Sequence, residues 1–208
     1  MSKEEYQYSI FQCIIKYIYY ISCFYVNVNN FLERYLTYCY NIQYILLIQI
    51  GENMKVGIGQ DSHKIDYSNP DKELILAGIK FQENYSLLAN SDGDVVLHAI
   101  TNAISGVTCK NILGKVSDEM CNQRGIKNSE EYLKEALKYL NEPIYHLSIS
   151  IECKVPKISP KIDDMRKNIA RILNINENCV GITATSGEGL TECGKGNGIN
   201  VFACITVG

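Results

Sequence analysis

The chain has 208 residues, of which 46% are hydrophobic and 21% charged, and this globular composition excludes a wholly disordered, collagen-like or low-complexity protein. Its 20 basic and 23 acidic side chains give a net charge of -3, so we do not expect nucleic acid as a partner. The nine cysteines include no Cys-x-x-Cys pair, which favours reduced, buried thiols over a disulfide framework or a zinc ribbon.

The composition changes near Gly51. Residues 1–53 hold ten of the fifteen tyrosines, a single glycine and no proline. This segment lacks the Arg- and Ser-rich composition of a transit peptide and the cleavage site of a signal peptide. We therefore expect residues 1–53 to be an extension outside the fold, either a leader or upstream translated sequence, and a domain over residues 54–208. We expect no membrane partner and a cytoplasmic location, with a plastid as the alternative.

From Met54 onward, strand and helix patterns follow one another. Leu147, Ile149 and Ile151 alternate with polar residues, as in a half-buried strand, and Ala77-Gly78 is typical of a hairpin turn. Strands are predicted at residues 55–59, 73–76, 79–81, 146–155, 179–184 and 199–207, and helices at residues 91–106, with Ser91 as the N-cap, 129–140 and 160–172. This order predicts an α+β fold, a mixed β-sheet packed on helices in a single domain.

Asp61 and His63 follow the first predicted strand. In extended backbone, residues two apart point to the same side, so this carboxylate and this imidazole converge. His98, four residues after Asp94 on a predicted helix, can supply a third ligand, and an Asp-His-His set with an open fourth position is typical of catalytic zinc. A helical histidine is also commonly buried by packing alone, and the spacing does not decide between the two interpretations.

A glycine-rich segment at residues 183–198 connects the last two predicted strands. Its glycines allow close backbone approach, Thr185 and Ser186 offer hydroxyl donors and Lys195 adds positive charge, a combination that suits a phosphate-bearing ligand. The segment is neither a Walker loop nor a dinucleotide fingerprint. A glycine-rich hairpin without a ligand remains an equal interpretation of this segment alone.

Four segments, in order along the chain, resemble the 2-C-methyl-D-erythritol 2,4-cyclodiphosphate synthase family. They are Gly-Ile-Gly-Gln-Asp-Ser-His at 57–63, Leu-Ala-Asn-Ser-Asp-Gly-Asp-Val-Val-Leu-His-Ala at 88–99, Pro-Lys-Ile at 156–158 with Met165-Arg166, and Thr-Ala-Thr-Ser-Gly-Glu-Gly-Leu at 183–190. The resemblance implies a homotrimeric lyase of non-mevalonate isoprenoid biosynthesis, with active sites between subunits. Its substrate would be 4-diphosphocytidyl-2-C-methyl-D-erythritol 2-phosphate, and its products 2-C-methyl-D-erythritol 2,4-cyclodiphosphate and CMP.

The resemblance also implies roles for individual residues. It assigns Zn²⁺ or another divalent metal to Asp61, His63 and His98, and a second divalent ion, Mg²⁺ or Mn²⁺, to Glu188. It gives catalytic roles to Asn90 and Ser186. It implies substrate contacts at Ser91, Gly114, Pro156, Lys157, Ile158, Thr185 and Lys195.

Several positions depart from the usual family pattern. Asn90 stands for a histidine and Asn102 for an aspartate, Ile112 replaces an aspartate that meets the methylerythritol hydroxyls, and Glu192 and Lys195 stand for a phenylalanine and an arginine. The motifs Gln-Asp-Ser-His at 60–63 and Asn-Ser-Asp at 90–92 are similar to those of a variant branch. Two alternatives stay open: a different zinc phosphohydrolase, and a non-catalytic trimeric protein that binds a nucleotide or an isoprenoid phosphate.

Overall fold

The structure is a computed structural model, and it describes residues 54–208. The predictions for residues 1–53 lie outside the described residues. Within residues 54–208, no helix is both long enough and apolar enough to cross a membrane.

Seven strands and five helices form the described domain. The strands are β1 (Lys55–Asp66), β2 (Leu74–Leu76), β3 (Ile79–Phe81), β4 (Ser86–Leu87), β5 (Ile144–Glu152), β6 (Val180–Thr185) and β7 (Gly198–Val207). The helices are α1 (Val95–Thr108), α2 (Lys115–Arg124), α3 (Ser129–Leu137), α4 (Ile162–Leu173) and the short α5 (Glu192–Lys195). Three single 3₁₀ turns occupy Ser159–Lys161, Glu177–Cys179 and Gly187–Gly189.

The strands make a five-stranded mixed sheet in the order β4-β1-β7-β5-β6, and β2 and β3 form a separate hairpin. β5 and β6 are parallel, whereas β1 pairs antiparallel with β7 over its length. The prediction of an α+β domain with a mixed sheet packed on helices is confirmed. The predicted hairpin around Ala77-Gly78 is also confirmed, and both residues have the positive φ of a tight turn.

Helix α1 packs directly on β1, and two glycines permit this close approach. A Cβ built on Gly57 would lie 2.2 Å from the carbonyl oxygen of Ala103, and one on Gly59 would lie 2.0 Å from that of Ala99. The apolar face of α1, the odd-numbered residues of β7 and Leu147, Ile149 and Ile151 of β5 are buried around this contact. Removal of this aliphatic surface from water is the main force that holds the helix on the sheet.

The opposite face of the sheet carries no helix among residues 54–208. Val56, Ile58 and Phe202 point outward from β1 and β7, with 61%, 69% and 49% of their surface exposed. Adjacent exposed apolar side chains of this size are typical of a surface that binds a partner.

The structure corrects several predicted boundaries. β1 continues to Asp66, far past the predicted end at residue 59, because its pairing with β7 runs on to Lys64 opposite Gly198. Its inner positions there are Asp61 and His63, whose polarity hides the strand pattern. The strand predicted at 146–155 spans Ile144–Glu152 and the helix predicted at 129–140 ends at Leu137.

The start of α1 is also different from the prediction. The N-cap is Asp94 and not Ser91, and its carboxylate accepts hydrogen bonds from the backbone N–H of Val96 and Leu97. Gly93 precedes it with a φ of 76°, which is incompatible with a right-handed helix.

Helix α2 was not predicted. Its ten residues bury only Ser117 and Met120, so they lack the apolar stripe by which a helix is recognised in a sequence. The six cysteines of residues 54–208 are free, as predicted, and Cys153 is buried while Cys109 is exposed. The prediction of buried thiols therefore holds for Cys153 and is wrong for Cys109.

Candidate active site

Asp61, His63 and His98 meet at one point of the structure. Asp61 and His63 lie on the inner face of β1, and His98 lies in the first turns of α1, which crosses that face. The Oδ2 atom of Asp61 is 2.9 Å from Nδ1 of His98 and 3.2 Å from Nε2 of His63. The two imidazole nitrogens are 3.4 Å apart. Asp61 and His63, which lie two residues apart on the strand, therefore converge with His98 of the helix, as the sequence predicted.

These three atoms form a triangle that fits a metal ion. Zinc bonds to histidine nitrogen and carboxylate oxygen are about 2.0–2.1 Å long, so two ligand atoms of a tetrahedral site lie about 3.3 Å apart. The observed separations of 2.9, 3.2 and 3.4 Å are close to that value. Asp61, His63 and His98 are thus a cluster that can bind a metal ion, with the remaining coordination position left for another ligand.

Within the cluster, the pKa values of Asp61 and His63 are both shifted. Burial acts to raise the pKa of Asp61, but the hydrogen bonds and positive charge of His63 and His98 outweigh it, and the pKa of this carboxyl lies well below its ordinary value. The hydrogen bond to Asp61 in turn raises the pKa of His63. Asp61 is therefore ionised at neutral pH, as a metal ligand must be.

His63 is held from behind by the backbone of the loop after β4. Its Nδ1 lies 3.1 Å from the carbonyl oxygen of Leu88 and donates to it, which leaves the Nε2 lone pair for the metal. Lys72 holds the backbone on either side of Leu88, since its Nζ donates to the carbonyl oxygens of Leu87 at 2.8 Å and Ala89 at 3.0 Å.

His98 is held in a comparable way by side chains. Its Nε2 lies 2.8 Å from Oγ of Ser129, the first residue of α3. The Ser129 hydroxyl is also hydrogen-bonded to Oδ1 of Asp92, whose Oδ2 accepts from the Ser129 backbone N–H at 2.9 Å. Neither Ser129 nor Asp92 was predicted as a site residue. They are 37 positions apart, and no local pattern connects them.

Asp94 ties the start of α1 to the β2-β3 hairpin. Besides capping the helix, its fully buried carboxylate accepts the backbone N–H groups of Ala77 at 2.8 Å and Gly78 at 2.6 Å. Burial raises the pKa of Asp94 to about 6, although the backbone N–H groups act to lower it. This residue fixes the level at which α1 begins and hence the position of His98 one turn further on.

A pocket of about 500 Å³ opens beside the three ligands, and we call it the metal pocket. Asn90 and Ser91, both predicted site residues, line it. Predicted Gly114 does not line it, but the adjacent Leu113 does, and Ile112 is buried in the core with 2% exposure. The lining residues that were not predicted as site residues are Leu88, Ala89, Asn102, Leu113, Ser117, Asp118, Cys121 and Tyr132. Three of them lie on α2, the helix whose polar sequence concealed it.

The other predicted residues lie in a second region, which we call the loop cluster (residues 153–158 and 185–196). Backbone hydrogen bonds from Cys153 to Thr185 and from Lys154 to Cys193 hold its two segments together. Glu188 has a φ of 47°, a conformation uncommon for a residue other than glycine.

Exposure separates the predicted residues of the loop cluster into two groups. Pro156 and Ile158 are buried. Lys195 pairs with Glu192 at 2.7 Å, which joins two of the departures from the family pattern. The exposed predicted residues are Lys157, Thr185, Ser186, Glu188 and Lys195.

The metal pocket and the loop cluster do not meet within one chain. The strand register aligns Asp61 of β1 with Val201 of β7, Ile151 of β5 and Ala184 of β6. Three strand spacings of about 4.8 Å therefore place Asp61 and the neighbour of Ala184, Thr185, about 14 Å apart. No residue of the loop cluster lines the metal pocket.

Comparisons with known proteins agree with this fold and site. The family model described as the YgbB family matches residues 54–208. The 2-C-methyl-D-erythritol 2,4-cyclodiphosphate synthase of Chlamydia caviae is 52% identical over 155 residues, which cover 74% of this chain and 88% of the relative.

Two solved structures are similar over 74% of this chain. The CDP complex of IspF from Plasmodium falciparum is 31% identical, with a TM-score of 0.61 and 95% of that chain covered. The bifunctional IspDF from Campylobacter jejuni is 28% identical, with a TM-score of 0.68, and the match spans 42% of that longer chain.

Proposed function

The chain belongs to the YgbB family, and we propose that its metal pocket and its loop cluster are the two halves of the active site. It is a 2-C-methyl-D-erythritol 2,4-cyclodiphosphate synthase, a lyase of isoprenoid biosynthesis. In this reaction an oxygen of the 2-phosphate of 4-diphosphocytidyl-2-C-methyl-D-erythritol 2-phosphate attacks the β-phosphorus. The bond from that phosphorus to the bridging oxygen breaks, CMP leaves and the cyclic diphosphate remains.

The observation that supports the metal half is the triangle of Asp61, His63 and His98. We assign Zn²⁺ to these ligands, since one carboxylate and two imidazoles with an open position suit that ion. When bound, such an ion supplies positive charge and Lewis acidity beside a phosphate group. Asn90 and Ser91 line the same pocket and offer hydrogen bonds to phosphate oxygens. Asn90 donates without the positive charge that a histidine at this position could carry.

The loop cluster supplies the groups for the cytidine diphosphate end. The hydroxyls of Thr185 and Ser186 and the ammonium groups of Lys157 and Lys195 are exposed and suit anionic oxygens. We assign Mg²⁺ or Mn²⁺ to Glu188, because Mg²⁺ keeps several waters and needs one or two carboxylates from the protein. We also expect substrate contacts at Pro156 and Ile158 of the loop cluster and, beside Leu113 of the metal pocket, at exposed Gly114.

We further propose that the active form is a homotrimer with each site shared between neighbouring subunits. Two observations support it. The metal pocket and the loop cluster of one chain are about 14 Å apart along the sheet by strand spacing, too far to hold one diphosphate between them. The outward face of the sheet exposes Val56, Ile58 and Phe202, which a second copy would cover.

A single assay tests the activity and the metal half. Purified protein is supplied with the substrate, Zn²⁺ and Mg²⁺, and CMP release is followed. Release of CMP with formation of the cyclic product is expected, and His98→Ala should lose both Zn²⁺ and activity. Release of inorganic phosphate would indicate a phosphohydrolase, and binding without turnover would indicate a non-catalytic binding protein.

Mixed trimers test the sharing of sites. His98→Ala inactivates only the metal half and the double variant Ser186→Ala, Glu188→Ala only the loop half, so each is expected to be inactive alone. In randomly mixed trimers made from equal amounts, each site has an intact metal half and an intact loop half with a probability of about one quarter. Recovery of about a quarter of the parental activity is expected. No recovery in trimers shown to be mixed would mean that each site lies within one subunit.

The remaining assignments stay predictions. A cytoplasmic location fits the bacterial origin of the Chlamydia caviae relative, with a plastid as the alternative. The extension at residues 1–53 lies upstream of the family match, which begins at residue 54. Mass analysis of the native N-terminus tests whether residues 1–53 remain on the protein.

A further inference from the structure

We propose that Ser129 and Asp92 are positioning residues that hold His98 in the orientation and proton arrangement needed for metal binding. This inference rests on the proposed metal site and adds to it a second layer of residues. The three groups form a continuous chain: the Asp92 carboxylate, the Ser129 hydroxyl and the His98 imidazole.

The direction of each hydrogen bond follows from the available protons. The carboxylate of Asp92 can only accept, and it already accepts the backbone N–H groups of Ser129 at 2.9 Å and Asp94 at 3.2 Å. The single hydroxyl proton of Ser129 therefore goes to Asp92, and the Ser129 oxygen accepts from Nε2–H of His98 at 2.8 Å. With its proton on Nε2, the neutral imidazole presents the Nδ1 lone pair to the site shared with Asp61 and His63.

Burial shields this arrangement from solvent. Ser129 is completely buried and His98 is 8% exposed, so the bond between Nε2 and the serine lies largely out of contact with water. The position of the hydroxyl is fixed by its place at the start of α3, where Asn128 caps the helix by accepting the N–H of Glu130 at 2.9 Å. The backbone N–H of Asp92 donates to the carbonyl oxygen of Lys127 at 2.9 Å, which locks the loop against the helix.

The docking of α3 and the orientation of His98 use different atoms of Ser129. The backbone N–H of Ser129 bonds to Asp92 without the side chain. Ser129→Ala therefore keeps this backbone link between loop and helix and removes the two bonds of the hydroxyl, to the imidazole of His98 and to Oδ1 of Asp92. The structure also offers a matched control, since the Ser105 hydroxyl on α1 is buried and has no hydrogen-bond partner among residues 54–208.

The test measures Zn²⁺ affinity by competition with a chelator of known affinity, for the full-length parent, Ser129→Ala and Ser105→Ala. Loss of a partner behind a metal ligand typically costs 10–100-fold in metal affinity, and we expect a loss in that range for Ser129→Ala and none for Ser105→Ala. Parental affinity in Ser129→Ala, or an equal loss in both variants, would refute the positioning role. A parent protein that binds no Zn²⁺ would refute the metal site itself and the positioning role with it.

A spectroscopic arm does not depend on the variants folding. In the Zn²⁺-loaded parent labelled with ¹⁵N-histidine, the Nε2 proton of His98 should give a resonance protected from exchange with solvent, as expected for a buried donor to Ser129. In folded Ser129→Ala this proton should exchange faster, while the signals of the exposed His146 stay unchanged. An unprotected Nε2 proton in the loaded parent would overturn the proposal.

Discussion

Replacement of Gly59 by alanine should separate the metal ligands without touching any of them. Gly59 has ordinary extended backbone, so alanine meets no conformational penalty there. Its new Cβ would lie 2.0 Å from the carbonyl oxygen of Ala99 and 2.3 Å from the backbone nitrogen of Ala103. Both atoms belong to the backbone of α1, which cannot rotate away as a side chain can.

The size of the required shift follows from these distances. Ordinary van der Waals contact for a Cβ begins at 3.4 Å, so α1 must move away from β1 by about 1.4 Å, an overpacking that typically costs about 1–3 kcal/mol of stability or more. His98 precedes Ala99 on the same turn, and its Nδ1 starts 2.9 Å from Asp61. A displacement of this size exceeds several-fold the tolerance of about 0.2 Å for metal-ligand distances.

The assay compares Gly59→Ala with Gly106→Ala, a glycine of the same helix-strand contact. A Cβ on Gly106 would lie 3.7 Å from its nearest neighbour, the carbonyl oxygen of Ile58, and alanine in a helix is favoured over glycine by about 1 kcal/mol. Gly59→Ala should lower the unfolding temperature, Zn²⁺ affinity and CMP release, whereas Gly106→Ala should keep all three or raise the first. Parental Zn²⁺ affinity in folded Gly59→Ala would refute the argument that this glycine sets the distance between the ligands.

Three further predictions concern Lys72, His63 and Glu188. Lys72→Met should weaken Zn²⁺ binding by roughly tenfold, because the Leu88 carbonyl that orients His63 loses the support of its neighbours; calorimetric titration with unchanged affinity would contradict this. The hydrogen bond to Asp61 raises the pKa of His63 above 6.5. In the metal-free protein this contact therefore stabilises the fold below about pH 6.5. Its contribution is lost as the pH rises through the raised pKa. Zn²⁺ binding displaces the titrating proton of His63, so the Zn²⁺ affinity measured by chelator competition should rise by up to about tenfold per pH unit below the raised pKa. A flat profile there would exclude proton release from His63. Glu188→Gln should raise the Mg²⁺ or Mn²⁺ concentration needed for half-maximal CMP release and leave the Zn²⁺ content of the purified protein unchanged; the parental Mg²⁺ requirement would remove Glu188 from the second-ion site.

Local patterns predicted that Asp61, His63 and His98 could converge, but the family resemblance was needed to assign a metal to them, because spacing alone does not distinguish a ligand from a packed histidine. Alternation along a strand places Asp61 and His63 on one side, and a helix that follows in the chain brings His98 back to the same sheet. Local patterns fail where a residue acts through distant partners. Asp94 caps α1 in place of Ser91 because a residue with positive φ, Gly93, precedes it and the β2-β3 turn supplies additional donors.

Other parts of the site had no local signal. Helix α2 contributes Ser117, Asp118 and Cys121 to the metal pocket, but a helix that buries so little apolar surface has no periodic pattern to detect. The contact between Ser129 and His98 depends on the docking of α3, which only tertiary structure defines. The separation of the metal pocket from the loop cluster is likewise a property of strand order, since β7 and β5 lie between β1 and β6.

Both imidazoles of the site are anchored at the nitrogen remote from the ligand triangle, one by the Leu88 carbonyl and one by Ser129. Folding therefore already restricts the rotation of both rings, so the ligand atoms are oriented toward the site before an ion binds. The aliphatic core around α1 includes none of Asp61, His63 and His98, in contrast to zinc fingers, which unfold when the metal is withdrawn. Chelation should accordingly leave the domain folded and able to rebind a metal ion quickly. The cation bound in the cell should then depend on which metal is available as well as on which metal fits the site.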